Sequence, residues 1–166
     1  MNKEDIINDI DNNGILTSNL SKQLGEFAND REVILHAVRK NASIYKDISE
    51  ELRNDPEILR VTIESVDIFS INPLRYALSG AMTKENIFLA IDRDVLMSSD
   101  LTPEMLSDKE IVMYFIQNKN SSIYEKLPEE LRKDAEILRI AIERRPNSWS
   151  NPLRYALPEA VTKENI

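Results

Sequence analysis

The stretch EELRNDPEILRVTIE at residues 50–64 returns almost unchanged as EELRKDAEILRIAIE at residues 129–143. The two copies are 79 residues apart and belong to a longer match, in which 43–87 and 122–166 are identical at 27 of 45 positions. This match also contains both copies of NPLRYAL (72–78 and 151–157) and of TKENI (83–87 and 162–166). Agreement of this extent indicates an internal duplication, so the chain is expected to be a repeat protein.

Each long repeat divides again into shorter units, and a recurring glutamate marks each of them. Aliphatic residues follow the glutamate at the second and sixth positions, as Leu59 and Ile63 follow Glu57. Apolar residues four apart lie on one face of a helix, so every unit is expected to open with an amphipathic first helix of about ten residues. The glutamates, 25 to 28 residues apart, are Glu4, Glu32, Glu57, Glu85, Glu110, Glu136 and Glu164.

Capping residues predict where the helices begin. Asp55-Pro56-Glu57 combines a side-chain cap, a proline suited to the first helical position and an acid that complements the helix dipole. This pattern predicts first helices that start near residues 3, 31, 56, 84, 109 and 135. Shorter second helices are expected after Asn72-Pro73, Thr102-Pro103 and Asn151-Pro152.

The resulting architecture is an all-α protein without β-sheet, an α-solenoid of about six stacked helix-turn-helix units in one domain, 1–166. The units are 3–29, 30–54, 55–82, 83–107, 108–133 and 134–161, with 162–166 opening a seventh. A pair of short helices cannot bury its apolar stripe alone, so neighbouring units must share a core. The predicted shared core consists of Ile34, Val38, Leu59, Ile63, Ile87, Ile91, Val112, Ile116, Leu138 and Ile142.

The stretch DREVILHAVRKNASIYKDISEELRNDPEILRVTI at 30–63 resembles tandem copies of a short helical repeat, domain of unknown function 4116. The shared pattern is an acidic start with Glu and two aliphatics, a small-aliphatic pair, and a Glu-Leu-basic end. Residues 108–142 fit it well, whereas 3–29 and 83–107 lack the Glu-Leu-basic end. The resemblance implies an array of helical repeats and no particular chemistry.

Composition narrows the class of protein. With 42% hydrophobic and 30% charged residues, the chain is expected to fold as a soluble protein. A net charge of −8 disfavours nucleic acids and anionic membranes as partners and favours a protein partner. The absence of cysteine excludes disulfides and thiolate metal sites. Neither a signal peptide nor an apolar run long enough to span a membrane is visible, so a cytoplasmic location is expected.

The sequence predicts no catalytic, cofactor-binding or metal-ligating residue. Asp9-Ile10-Asp11-Asn12-Asn13-Gly14 resembles the opening of a calcium loop, but Leu20 stands where that loop needs a bidentate glutamate. We therefore interpret 9–14 as a polar turn between two helices. His36 is the only histidine and aligns with apolar helix positions in other units, which indicates a structural role.

Six arginines recur in the duplication, as Arg53, Arg60, Arg75, Arg132, Arg139 and Arg154. Arg60 lies between Glu57 and Glu64 at helical spacing, so a surface ion pair accounts for it. Arg75 and Arg154, in the retained NPLRYAL motif, place a cation near a helix start, where it opposes the dipole. They either contact a neighbouring unit or bind an external acidic group.

The loop between the duplicated segments differs completely between the copies, SVDIFSI at 65–71 against RRPNSWS at 144–150. Trp and Arg are enriched among residues that dominate binding energy. The candidate partner-binding residues are Arg75, Arg144, Arg145, Trp149 and Arg154.

These features predict a non-catalytic scaffold, or an acidic inhibitor, that binds a target protein through an extended helical-repeat surface. A phage or bacterial counter-defence inhibitor is one alternative of this kind. A second alternative is a nucleic-acid-binding helical repeat that uses the six recurring arginines, although the net charge of −8 opposes it.

Overall fold

Six first helices begin at the residues that the glutamate period and the caps predict. In the computed structural model, which describes residues 2–15, 20–67, 71–144 and 151–163, 69% of the described residues are helical and none is in a strand. The all-α class is therefore confirmed. The first helices are α1 (Lys3–Asn13), α3 (Arg31–Lys40), α5 (Pro56–Ser65), α6 (Lys84–Asp92), α8 (Lys109–Asn118) and α10 (Ala135–Glu143).

Side-chain caps explain these starting points. Asp55 accepts hydrogen bonds from the amides of Glu57 and Ile58 at 2.8 and 3.1 Å, and Asp134 repeats the arrangement before α10. Thr83 caps α6 through the amide of Asn86. Because each cap is followed by an acid in the first turn, both the free amides and the helix dipole are compensated.

The second helices are shorter and tighter than the sequence suggested. Both copies of the Asn-Pro-Leu-Arg motif form three-residue 3₁₀ helices rather than α-helices. Runs this short favour the tighter 3₁₀ geometry over a second α-helix. The short α-helices are α2 (Leu20–Leu24), α4 (Glu50–Arg53), α7 (Pro103–Ser107) and α9 (Glu129–Arg132). The 3₁₀ helices are Gly25–Asn29, Ala42–Asp47, Pro73–Arg75, Ser121–Lys126, Pro152–Arg154 and Pro158–Ala160.

The chain packs as two compact units, residues 1–96 and 97–166. In the first unit, α1 packs against α3, α3 against α5, and α5 against α6. In the second unit, α7 and α10 both pack against α8. Each first helix thus buries its apolar stripe against helices of neighbouring repeats.

Nine of the ten predicted core residues are buried, including Ile63 and Ile116 with no exposed surface. The exception is Ile142, which is only half-buried, so its assignment to the core is wrong. It lies near the end of α10, after which the described residues contain no further first helix.

The interpretation of residues 9–14 as a turn is also corrected, because α1 continues through Asn13 and the turn begins only at Gly14. Gly14 has a φ of 74°, which glycine adopts without strain. The Asn13 amide donates to the Asp9 carboxylate at 2.8 Å, an i,i+4 contact that supports the last helical turn.

Candidate functional site

The duplicated motifs meet at a junction in each copy. The Arg53 carbonyl, at the end of α4, accepts hydrogen bonds from the Tyr45 hydroxyl at 2.8 Å and from the Leu78 amide at 3.3 Å. In the second copy, the Arg132 carbonyl accepts from Tyr124 at 3.2 Å and from the Leu157 amide at 3.4 Å. One carbonyl thus holds a 3₁₀ helix, a short α-helix and the NPLRYAL segment together.

The side chain of Arg53 is part of the same junction. Its guanidinium donates to the Tyr76 carbonyl at 3.2 Å and lies 3.8 Å from the Glu50 carboxylate. Arg53 and Arg132 are both partly buried, and the Nε atom of each is buried. Part of each of these two side chains is therefore enclosed within the fold.

Arg60 and Arg139 form the ion pairs that their spacing predicts. Arg60 contacts Glu64 at 2.6 Å, and Arg139 contacts Glu143 at 2.8 Å, both within a helix. Exposed pairs of this type contribute only a few tenths of a kcal/mol, about 0.3–0.5. Each of these two arginines therefore lies beside a carboxylate of its own helix.

Arg75 and Arg154 occupy a different environment, because both are exposed at the end of a three-residue 3₁₀ helix. Asn72 and Asn151 cap these helices at 3.0 and 3.1 Å, and the prolines that follow them are buried. Packing and capping therefore explain most of the NPLRYAL motif, but they leave its arginine on the surface.

Tyr155 lies beside Arg154 and is a candidate site residue that the sequence did not reveal. It is 36% exposed, and its hydroxyl donates to the Glu125 carboxylate, which raises the pKa of Tyr155. Glu125 aligns with Lys46 in the first copy, so the surface around the retained motif differs in charge between copies. A comparison of the aligned positions 46 and 125 in the sequence could have drawn attention to this surface.

Of the other candidates, Arg144 is exposed, and its amide closes α10 by donating to the Ile140 carbonyl at 3.0 Å. Arg145 and Trp149 lie outside the described residues. Their assignment as partner-binding residues stays a prediction.

His36 makes a contact between neighbouring repeats. Its Nδ1 atom lies 3.1 Å from the Asp11 carboxylate of α1, with both side chains partly exposed. Within the described ranges, no group of three or more His, Cys, Asp or Glu side chains is arranged to hold a metal ion.

A ladder of cations between repeats was also missed. The first residue of a first helix reaches the cap and the first-turn glutamate of the next: Lys3 contacts Asp30 at 3.0 Å and Glu32 at 2.6 Å. Lys109 contacts Asp134 at 2.7 Å and Glu136 at 2.9 Å. Arg31 bridges Asp55, at 2.6 Å, and Glu57 in the same way.

The ladder affects the ionisation of the capping acids. Burial raises the pKa of Asp55, but the hydrogen bond from Arg31 and those from the α5 amides outweigh it and hold that pKa below its ordinary value. Asp134, beside Lys109, has a lowered pKa for the same reasons. Each cap therefore stabilises its own helix and the contact with the preceding one.

Comparison with known proteins finds one family. The family described as Domain of unknown function (DUF4116) matches residues 30–76, from the cap of α3 to the Arg75 turn. This match confirms the resemblance of the 30–63 stretch. No curated protein and no solved structure is significantly similar to the chain. In the part of the chain that the structure describes, no helix has the length and apolar character needed to cross a membrane.

Proposed function

We propose that the chain is a non-catalytic interaction scaffold, an α-solenoid of stacked helix pairs that binds a target protein. The support is architectural, because successive first helices pack side by side within each unit. Arrays of this kind present extended surfaces that generally serve protein recognition.

The observation that carries the proposal is the exposed arginine of NPLRYAL. The duplication retains all seven residues of this motif and none of the seven residues before it. Capping and packing account for the motif's asparagine and proline, whereas Arg75 and Arg154 are exposed. Arg154, with Tyr155 beside it, is the better candidate for binding an acidic group of the partner, and a structural role is favoured for Arg75.

The net negative charge of the chain favours an inhibitory role on a target protein whose surface is predominantly basic. Among the exposed carboxylates, those of Glu50 and Glu130 are 82% and 86% exposed. A net charge of −8 accelerates encounter with a basic protein, and a few arginine contacts then fix the orientation.

Quantitative capture from a lysate tests this proposal with three variants, Arg75→Met, Arg154→Met and Arg93→Met. Arg93 is exposed beyond α6 and lies outside the duplicated motifs, so its replacement is the matched control. We expect Arg154→Met to lose a protein that the parent chain, Arg75→Met and Arg93→Met retain. Equal recovery by all four chains would contradict the role of Arg154.

A further inference from the structure

Two chemically different junctions join successive first helices in the described residues. The first is the cation junction, in which the first helical residue reaches an Asp-x-Glu at the start of the next first helix. It joins α1 to α3 through Lys3, α3 to α5 through Arg31, and α8 to α10 through Lys109.

The second is the amide junction between α5 and α6. The first residue of α5 is Pro56, which carries no charge, and the cap of α6 is Thr83 in place of aspartate. The buried Asn86 side chain instead donates to the carbonyls of Pro56 and Ala81 at 2.8 and 2.9 Å. Cation and aspartate are thus present together at three junctions and absent together at this one.

The sequence repeats this pairing in the second copy. Ala135, at the first position of α10, is followed by Thr162 at the corresponding cap position. An uncharged first residue and a threonine cap therefore occur together twice, in agreement with the structure of the α5–α6 junction.

We infer that the first helical residue and the following cap form a docking code that selects which helix packs against which. A Lys or Arg fits a neighbour that begins with Asp-x-Glu, and an uncharged residue fits a neighbour that begins with Thr. The two oxygen groups hold the cation at one position along the helix, since a shift of one turn, about 5.4 Å, would separate them. A mismatched neighbour would leave the cation or the capping acid without its partner at the junction.

Charge reversal tests the code at the α3–α5 junction. Arg31→Glu places a third acid beside Asp55 and Glu57, and we expect amide hydrogen exchange in α3 to accelerate about three- to tenfold. The same change combined with Asp55→Asn and Glu57→Lys restores complementary charges and keeps a capping oxygen. We expect this triple variant to recover most of the lost protection.

Lys46→Glu is the matched control, because it makes the same change of charge in the same repeat and glutamate occupies the aligned position 125. We expect it to leave exchange in α3 unchanged. A control that accelerates exchange as much as Arg31→Glu, or a triple variant that recovers nothing, would overturn the code.

A transplant provides the second test. Pro56→Lys with Thr83→Asp gives the α5–α6 junction the cation and the capping aspartate of a cation junction. Glu85 already supplies the first-turn glutamate. A double-mutant cycle with the two single variants removes the cost of losing proline at the helix start. We expect amide hydrogen exchange in α6 of the double variant to be slower than the sum of the two single-variant effects predicts. This coupling between the two substitutions should weaken as salt is added. Additive effects at every salt concentration would contradict the inference.

Discussion

Ile63 lies in α5, six residues after the glutamate that marks its repeat, and has no exposed surface. Replacement by alanine removes buried methylene and methyl groups and leaves a cavity, so Ile63→Ala is expected to lower the free energy of unfolding by about 2–5 kcal/mol. Urea denaturation of the parent chain and of the variant measures this loss of unfolding free energy. Ile142→Ala, at the half-buried equivalent, should cost clearly less. A loss below about 1 kcal/mol for Ile63→Ala would mean that the site relaxes to fill the cavity.

Tyr124 is the residue with the most informative titration. Its burial raises its pKa to about 12, against the opposing effect of Arg132. The folded chain therefore holds the phenolic proton more tightly than the unfolded chain. The corresponding stability is complete below the ordinary value of 10.0 and is lost as the pH rises through about 12.

We expect Tyr124→Phe to reduce the fall in unfolding free energy between these pH values. It should also remove the tyrosinate transition near pH 12 from the near-ultraviolet absorbance. Tyr76→Phe, at a half-buried phenol outside the Arg132 junction, is the control. If Tyr124→Phe leaves the alkaline transition unchanged, the buried hydroxyl in the Arg132 junction is not what titrates.

At the scale of helices, the acid dependence of the α3–α5 junction follows from Asp55. The pKa of Asp55 is lowered below 3.8 in the folded chain, so its contribution is present above that value and is lost as the pH falls through the folded pKa. Asp55→Asn keeps the capping oxygen but removes the charge. We expect it to cost about 1 kcal/mol at neutral pH and to flatten the acid limb of the stability curve.

Asp47→Asn removes a carboxylate at an exposed position of the preceding repeat and provides the comparison. An acid limb that is equally steep in the parent chain and in Asp55→Asn would show that the ladder contributes nothing to acid stability.

The first helices could be predicted because each start combines a local cap with a periodic apolar pattern. Asp55, Pro56 and Glu57 act within one helical turn, so no knowledge of tertiary structure was needed. The 3₁₀ form of Pro73–Arg75 depends on the short length of the segment, and the cap alone does not reveal it. The cation ladder was missed because Lys3 and Asp30 are distant in sequence and meet only when the helices pack.

At the scale of the whole molecule, the duplication predicted the repeat organisation but not the surface that contacts a partner. Arg53, Arg75, Arg132 and Arg154 are all retained between the copies. In the structure, the carbonyls of Arg53 and Arg132 accept the hydrogen bonds that hold each junction together. Arg75 and Arg154 are exposed instead. Retention within a duplication preserves folding and binding residues alike, so the sequence could not separate these roles.

The exposed position of Arg154 leads to a prediction about folding. Arg154→Met keeps the apolar stem and removes a cation near a helix start, so the free energy of unfolding should change by less than about 0.5 kcal/mol. Arg53→Met removes the guanidinium that donates to the Tyr76 carbonyl and should cost about 1–3 kcal/mol. Chemical denaturation of both variants measures the difference. Comparable losses would place Arg154 among the structural residues.

The affinity of the captured target for Arg154→Met, beside the parent chain and Arg93→Met, tests the scaffold proposal most directly. Loss of a charged hydrogen bond to the partner should weaken binding by about 1–3 kcal/mol, or about 5- to 150-fold in the dissociation constant. The parent chain and Arg93→Met should bind equally well, and isothermal titration calorimetry can measure all three. Identical dissociation constants for the three folded chains would contradict the proposal that the exposed NPLRYAL arginine binds the partner.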